Sequence, residues 1–239
     1  MDILKKVFRA VVLKGTRADV DRHVSLKSTI QSHKGYFEEF FDSKIISKVT
    51  CTYEGLCSVH FCDGRICTFE TVADGYNRQY GIPASLDGKV LFVGSWEKGL
   101  FAYDIETGKE IWRFESTRIT SIYVSETHVV AIRYGEAILK LDIANGTKIG
   151  ELRSGTIEDT FELDPLHILV DTYRGKLSIV DTDALAVVKQ YPDPLINPTK
   201  AISFMIREAS LERNKLTISG LENSRPFCRV IDYNFLPIE

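Results

Sequence analysis

The 239-residue sequence contains no apolar run of about 18 residues, the length a membrane-crossing helix requires. Its opening residues, Met-Asp-Ile-Leu-Lys-Lys, lack the apolar stretch and small-residue cleavage site of a secretory signal. A cytoplasmic protein with no membrane partner is therefore expected. Cysteine is sparse and odd in number, with five residues at 51, 57, 62, 67 and 228, and none shows the Cys-x-x-Cys spacing of a zinc knuckle or a thioredoxin-like site. Free cysteines buried in strands of a protein from a reducing compartment are the expectation, with no metal. Gly-x-Ser-x-Gly, His-Glu-x-x-His and a phosphate-cradling glycine loop are also missing, so no residue is assigned a catalytic role and no cofactor is expected. An excess of basic charge is absent as well: 30 Lys and Arg stand against 33 Asp and Glu, a formal net charge of -3. Direct nucleic-acid binding, which needs cations clustered on one face, is not expected.

The residues that are present suit a globular chain. With 44% hydrophobic and 26% charged residues, a chain of this length buries roughly 70–75% of its unfolded surface. Its organisation is clearest at Ala102-Tyr-Asp-Ile-Glu-Thr-Gly-Lys-Glu-Ile-Trp112. Asp104 is placed to accept from the N–H groups of a turn, Gly108 to supply a positive φ, and Trp112 to give the next strand a large packing group. Ahead of it, Val90–Trp96 and Gly99–Asp104 read as two short strands joined by a tight turn. The phrase returns in His128–Tyr134 with Ile138–Asp142, and in His167–Tyr173 with Leu177–Asp181. From Asp104 to Asp142 is 38 residues and from Asp142 to Asp181 is 39. A period near 40 with about four short strands per unit is the signature of a propeller blade, because one such sheet cannot bury both faces alone.

Weaker copies lie upstream, at Leu56–Cys62 and Arg65–Glu70, and downstream, at Leu216–Gly220 and Phe227–Asp232, which makes about five units. The phrase around Asp104 resembles the PQQ-like, quinoprotein-type propeller repeat, with its Ala-x-Asp-x-x-Thr-Gly turn followed by a Trp on the fourth strand. Asp142 to Gly146 keeps the turn without the Trp, and Asp181-Thr-Asp-Ala-Leu185 loses the Gly too. The fold expected is all-β, a propeller of about five four-stranded blades over residues 45–239, with four to six as the range. Residues 1–44 form a partly helical segment that closes or caps the ring.

Within that segment, residues 2–14 suit an amphipathic helix or a closing strand, and both readings stand. Asp19 to Gly35 lacks Gly and Pro up to its last residue and is predicted helical after the cap at Thr16–Asp19. Tyr36-Phe-Glu-Glu-Phe-Phe-Asp42 places rings on one helical face and acids on the other. From Lys44 onward, runs rich in Ile, Val, Thr, Phe and Tyr predict strands, the innermost of successive units starting near Ile45, Ile82, Ile119, Phe161 and Ala201. Pro192, Pro194 and Pro198 mark a long connection, and Glu208 to Lys215 reads as a polar insertion.

Two candidate features remain. His128 and His167 occupy the same position 39 residues apart, which points to one repeated structural role. Trp96, Tyr134 and Tyr173 each follow the second strand of a unit, and Glu158 and Asp159 fall in a link that emerges on the same side. Rings beside acids suit a protein-binding face, with the ring as anchor and the charge as steering. Packing between blades is an equal alternative for the three rings. The repeat family's quinone-dependent enzymes are longer, so the resemblance implies a scaffold rather than cofactor chemistry. It further implies a non-catalytic binding propeller, of the kind seen among bacterial immunity proteins that neutralise a toxin. A basic nuclease toxin would then be the partner, and an assembly scaffold or a small-molecule-binding or enzymatic propeller the alternative.

Overall fold

A computed structural model describes residues 28–32, 36–41, 43–52, 54–72, 85, 87–164, 166–172, 176–191, 204–212, 215–222 and 224–232. None of these is helical, and their strands form five antiparallel sheets. The first contains β1 (Ser28–Ser32), β2 (Tyr36–Phe41), β3 (Ile46–Thr52), β4 (Leu56–Phe61) and β5 (Ile66–Glu70), in that order. The second contains β6 (Val90–Ser95), β7 (Gly99–Asp104) and β8 (Glu110–Glu115). The third runs from β9 (Ile119–Val124) through β10 (His128–Arg133) and β11 (Ala137–Asp142) to β12 (Lys148–Arg153). The fourth is β13 (Ile157–Asp164), β14 (His167–Thr172), β15 (Lys176–Asp181) and β16 (Ala186–Tyr191). The fifth is β17 (Phe204–Glu212), β18 (Lys215–Glu222) and β19 (Arg225–Asp232).

The expected four strands per unit are therefore met in the third and fourth sheets, while the others show five, three and three among the described residues. The sequence accounts for the meander. Tight turns join β6 to β7 and β10 to β11, and these strands are almost continuously apolar because they are covered on both faces. Phe92, Val93, Val130 and Ala131 are all essentially inaccessible. The outer strand β8 instead alternates, with Trp112 buried and its neighbours Ile111 and Arg113 exposed.

The chain divides into two compact units, Met1–Ala131 with Leu141–Lys148, and Ile132–Lys140 with Ile149–Glu239. The first has a core of Phe41, Ile46, Val49, Cys51, Cys57, Val59, Leu91, Val93, Phe101, Tyr103 and Ile105. The core of the second comprises Leu163, Leu169, Leu177, Ile179, Tyr191, Ile206, Leu216 and Ile218.

Several expectations are corrected. Residues 28–32 and 36–41 are strands, not helices. Pairing decides this: Tyr36 to Phe40 lie opposite Thr52 to Lys48 of β3, and Ser28 to Ser32 lie opposite Phe41 to Phe37. A period of two then buries Phe41, and Glu38 reaches Lys48 Nζ at 2.8 Å. Helical spacing of rings and acids lost to a ready strand edge and to the β preference of aromatic residues. Glu208 to Glu212 and Lys215 lie on the paired strands β17 and β18, Glu208 opposite Ser219 and Glu212 opposite Lys215, rather than in an insertion. Cys51 and Cys57 are not free. They lie directly opposite on β3 and β4, 4.2 Å apart at Cα, and are joined as a disulfide, close to the roughly 4.5 Å spacing of a non-hydrogen-bonded cross-strand pair. Cys62 and Cys228 are exposed, and Cys67 is half-buried. The readings made for residues 2–14, Thr16–Asp19, Tyr76–Tyr80, Ile82, Pro192–Pro198 and Ala201 lie outside the described residues.

Candidate functional site

The turns that close each repeat are built as their side chains dictate. Thr107 donates to Asp104 Oδ1 through both its N–H and its hydroxyl, each at 2.7 Å, and Gly108 N–H donates to Asp104 O at 2.8 Å. The Thr107 hydroxyl, and then its N–H, hold the Asp104 carboxyl below the usual range. Gly108 takes φ +67°. One repeat on, Ala144 and Asn145 N–H donate to Asp142 Oδ1, and Gly146 takes φ +70°. In the third copy Asp183 and Ala184 N–H donate to Asp181 Oδ1, and Leu185 occupies the glycine position at φ +52°.

The two equivalent histidines are structural, as expected. Ser125 Oγ accepts from the N–H groups of Thr127 and His128 and lies 3.0 Å from His128 Nδ1. Asp164 does the same one repeat later, accepting from Leu166 and His167 N–H while both its oxygens lie 2.9 Å from His167 Nδ1. Each ring thus steadies the turn before the second strand. The hydrogen bond to Asp164 raises His167 above the ordinary imidazole value. Burial works to raise Asp164, but the bonds from His167 and the backbone outweigh it and leave the carboxyl below its usual value.

The residues predicted for a binding face lie on separate elements. Tyr173 lies outside the described residues. Trp96, half-buried in the turn after β6, belongs to the first unit, and its carbonyl accepts from Arg118 N–H at 2.6 Å. Tyr134, Glu158 and Asp159 all belong to the second unit. Tyr134 is 38% exposed, and its neighbour Gly135, at φ +74°, donates to Ile157 O at 3.1 Å. That bond sets the Tyr134 turn beside the start of β13. Glu158 and Asp159, both exposed, lie on β13 itself rather than in a link, because the strand begins at Ile157 instead of near Phe161. Arg133, next to Tyr134, reaches Glu136 at 3.0 Å.

Asp171 completes this group and was not singled out from the sequence. It lies directly opposite Asp159 in the β13–β14 pairing, is 5% exposed, and its Oδ1 has no hydrogen-bond partner among the described residues. Burial first, then the charges of Glu158 and Asp159, push it up to about 7. A signal existed in the repeat. Asp171 stands two residues before Tyr173, where the copies ending at Trp96 and Tyr134 have Gly94 and Ile132. Among the described residues no group of three or more His, Cys, Asp or Glu is arranged to hold a metal ion.

A PQQ-type family profile described as outer membrane protein assembly factor BamB matches residues 65–191, more than half of the 239 residues. The chain belongs to this PQQ-like, BamB-type family. The crystal structure of BamB from Moraxella catarrhalis matches with a TM-score of 0.55 at 16% identity, over 84% of this chain and 67% of that one. That likeness establishes the β-propeller fold. No curated protein matches the sequence. Within the PQQ-like repeat, the Asp104–Gly108 turn and Trp112 are scaffold features, whereas Asp171 belongs to one repeat alone.

Proposed function

We propose that this PQQ-like chain is a non-catalytic protein-interaction propeller, and that its second unit meets the partner through Tyr134 with Glu158 and Asp159. The observation that carries this reading is the bond from Gly135 to Ile157, which sets the turn carrying the exposed Tyr134 beside the acidic start of β13. An amphipathic ring with acids on a neighbouring strand is a composition that suits an interface, where the ring supplies anchoring and the charge supplies encounter rate.

Two narrower forms follow from different observations. The BamB-type family description favours an assembly scaffold. The net charge of -3 and the acids on β13 favour an immunity protein that holds a basic toxin, such as a nuclease, in the cytoplasm. The test is quantitative capture from the native cells with the tagged parent, Tyr134→Ala and Glu158→Lys, followed by mass spectrometry and binding measurements with the purified partner. One protein recovered stoichiometrically with the parent and weakened by both folded variants supports the reading. A partner held equally by all three chains, or no partner at all, overturns it. The gene product recovered decides between an assembly component and a toxin.

A further inference from the structure

We propose that Asp171, with Asp159 opposite it and Glu158 beside Asp159, receives an arginine or lysine side chain of the protein partner. The proposal rests on the interaction reading above and names the chemistry of its contact.

The cross-strand register makes the case. Asp159 on β13 faces Asp171 on β14, Asp171 faces Leu177 on β15, and Leu177 faces Tyr191 on β16. Directly opposed residues of antiparallel strands project to one face, so these four side chains form a row across the sheet. Leu169, two residues before Asp171, and Leu177 and Tyr191 all belong to the apolar core of this unit. Asp171 thus sits at the rim of a core, at a position where sister repeats carry Gly94 and the buried Ile132. Nothing in the row donates to it. Leu177 has no polar side-chain atom, Asp159 and Glu158 are acids, and among the described residues no basic group is among the charges acting on Asp171.

Such an arrangement is costly in the isolated chain. A buried carboxylate without a partner forfeits its hydration, and like charges directly opposite on a sheet repel. A second unpartnered polar atom lies in the same row: among the described residues Tyr191 Oη makes no hydrogen bond, and the residue is only 5% exposed. Lys189 Nζ already lies 5.5 Å from the centre of the Tyr191 ring, so it is the Asp171 end of the row, beside exposed acids, that marks a place where an incoming donor is missing.

The donor is best supplied by a long basic side chain. A metal ion needs several oxygens converging at short range, and the described residues offer no such group. An arginine carries five N–H donors in a planar fork, a lysine three on a flexible stem, and either delivers its charge from several ångströms away. Tyr134, 38% exposed on the turn bonded to the start of β13, is a ring of the same unit over which a guanidinium would gain cation–π attraction.

The test uses the full chain and a blocked hexa-arginine peptide, with the uncharged hexa-citrulline peptide as its shape control. The Asp171 carboxyl carbon is followed by NMR, and affinity is measured by titration calorimetry. The expected result is that hexa-arginine moves the Asp171 titration to lower pH, hexa-citrulline does not, and the isosteric Asp171→Asn lowers peptide affinity at least tenfold. Glu158→Gln/Asp159→Asn provides a second reading should Asp171→Asn alter the fold, and it too should weaken the peptide. An unmoved Asp171 resonance at peptide saturation, or equal affinity for parent and both variants, overturns the proposal. Spermidine forms the free-cation arm; a stronger response to it than to the peptide assigns the row to a small polycation and likewise overturns it. A peptide that engages Asp171 while capture yields no Tyr134-dependent partner would sink the interaction reading and leave the cation row standing, so the two failures are distinct.

Discussion

Gly146 lies flat against the indole of Trp112, so closely that a Cβ there would overlap the ring, and Trp112 Nε1 donates to Ile143 O at 2.9 Å in the same turn. One repeat later the sizes are exchanged. Gly150 stands in the tryptophan position, 38 residues after Trp112, and Leu185 stands in the glycine position, 39 after Gly146. A Cβ on Gly150 would lie 2.7 Å from Leu185 Cδ2. The contact between a fourth strand and the next turn is kept, with bulk supplied from the opposite side.

Trp112 is 7% exposed and packs against Phe92 at 5.8 Å between ring centroids. Trp112→Ala should therefore cost about 3–5 kcal/mol, as for other buried aromatic truncations. Gly108→Val should also destabilise, because it forces a β-branched residue to positive φ and drives its Cβ into Phe69. Urea unfolding of both variants checks this, and a Trp112→Ala midpoint equal to the parent's would refute the repeat assignment.

The exchanged pair should be thermodynamically coupled. Gly150→Trp alone overpacks against Leu185, and Leu185→Gly alone leaves a gap while relieving a positive φ, so each is expected to fall within about 1–3 kcal/mol of the parent. Combined, they restore the arrangement of Trp112 and Gly146, and the double variant should be more stable than the sum of the singles by at least about 1 kcal/mol. Strict additivity in a double-mutant cycle would show that the two positions do not share a contact.

Stability should fall as pH rises from about 4 to about 7. In that window the unfolded chain has lost the Asp171 proton, whose ordinary value is 3.8, while the folded chain holds it until about 7. The folded state binds the extra proton, so raising pH favours unfolding, by on the order of 4 kcal/mol over the full interval. Asp171→Asn should remove this slope, and its stability relative to the parent should grow with pH. Parallel pH profiles for the two chains would rule out a strained carboxylate at 171.

The Asp164–His167 pair works at both ends of the range. With His167 raised, its contribution is full below the ordinary imidazole value of 6.5 and is lost as pH climbs through the raised one. With Asp164 lowered, its contribution is present above 3.8 and is lost as pH falls through the lowered value. Asp164→Asn keeps an oxygen for the Leu166 and His167 N–H groups but not the charge, so thermal melts should show a weaker loss of stability above pH 6.5 than the parent shows. An unchanged profile would mean that the ring is neutral throughout.

For a basic partner, association should slow as salt rises, since opposite fields are screened beyond about 10 Å at 0.1 M. Replacing Trp96, Tyr134 and Tyr173 singly by Ala should cost binding by at least about 2 kcal/mol at one or more positions, seen mainly in the off-rate. Three folded variants that bind as tightly as the parent would remove these rings from the interface.

The repeat was legible in the sequence because its information is local. Asp104, Asp142 and Asp181 each satisfy N–H groups two or three residues away, and Ser125 and Asp164 do the same for the turns before His128 and His167. Asx and Ser turns of this kind depend on spacing along the chain alone. Continuous apolar runs such as Val129–Ile132 likewise announced strands covered on both faces. Other outcomes depended on which strands pair and in which register. Tyr36–Phe41 carry a helical spacing that is defeated only once β3 offers its edge. Cys51 and Cys57 become a disulfide only when β3 and β4 set them opposite each other. The exchange of Gly150 and Leu185 looks like two separate losses of the motif until the turn of one repeat is packed on the strand of the one before. Glu158 and Asp159 were visible as acids, but the unpartnered Asp171 joins them only through the β13–β14 register, because a strand's sequence sets which residues alternate and its neighbour sets what each one faces.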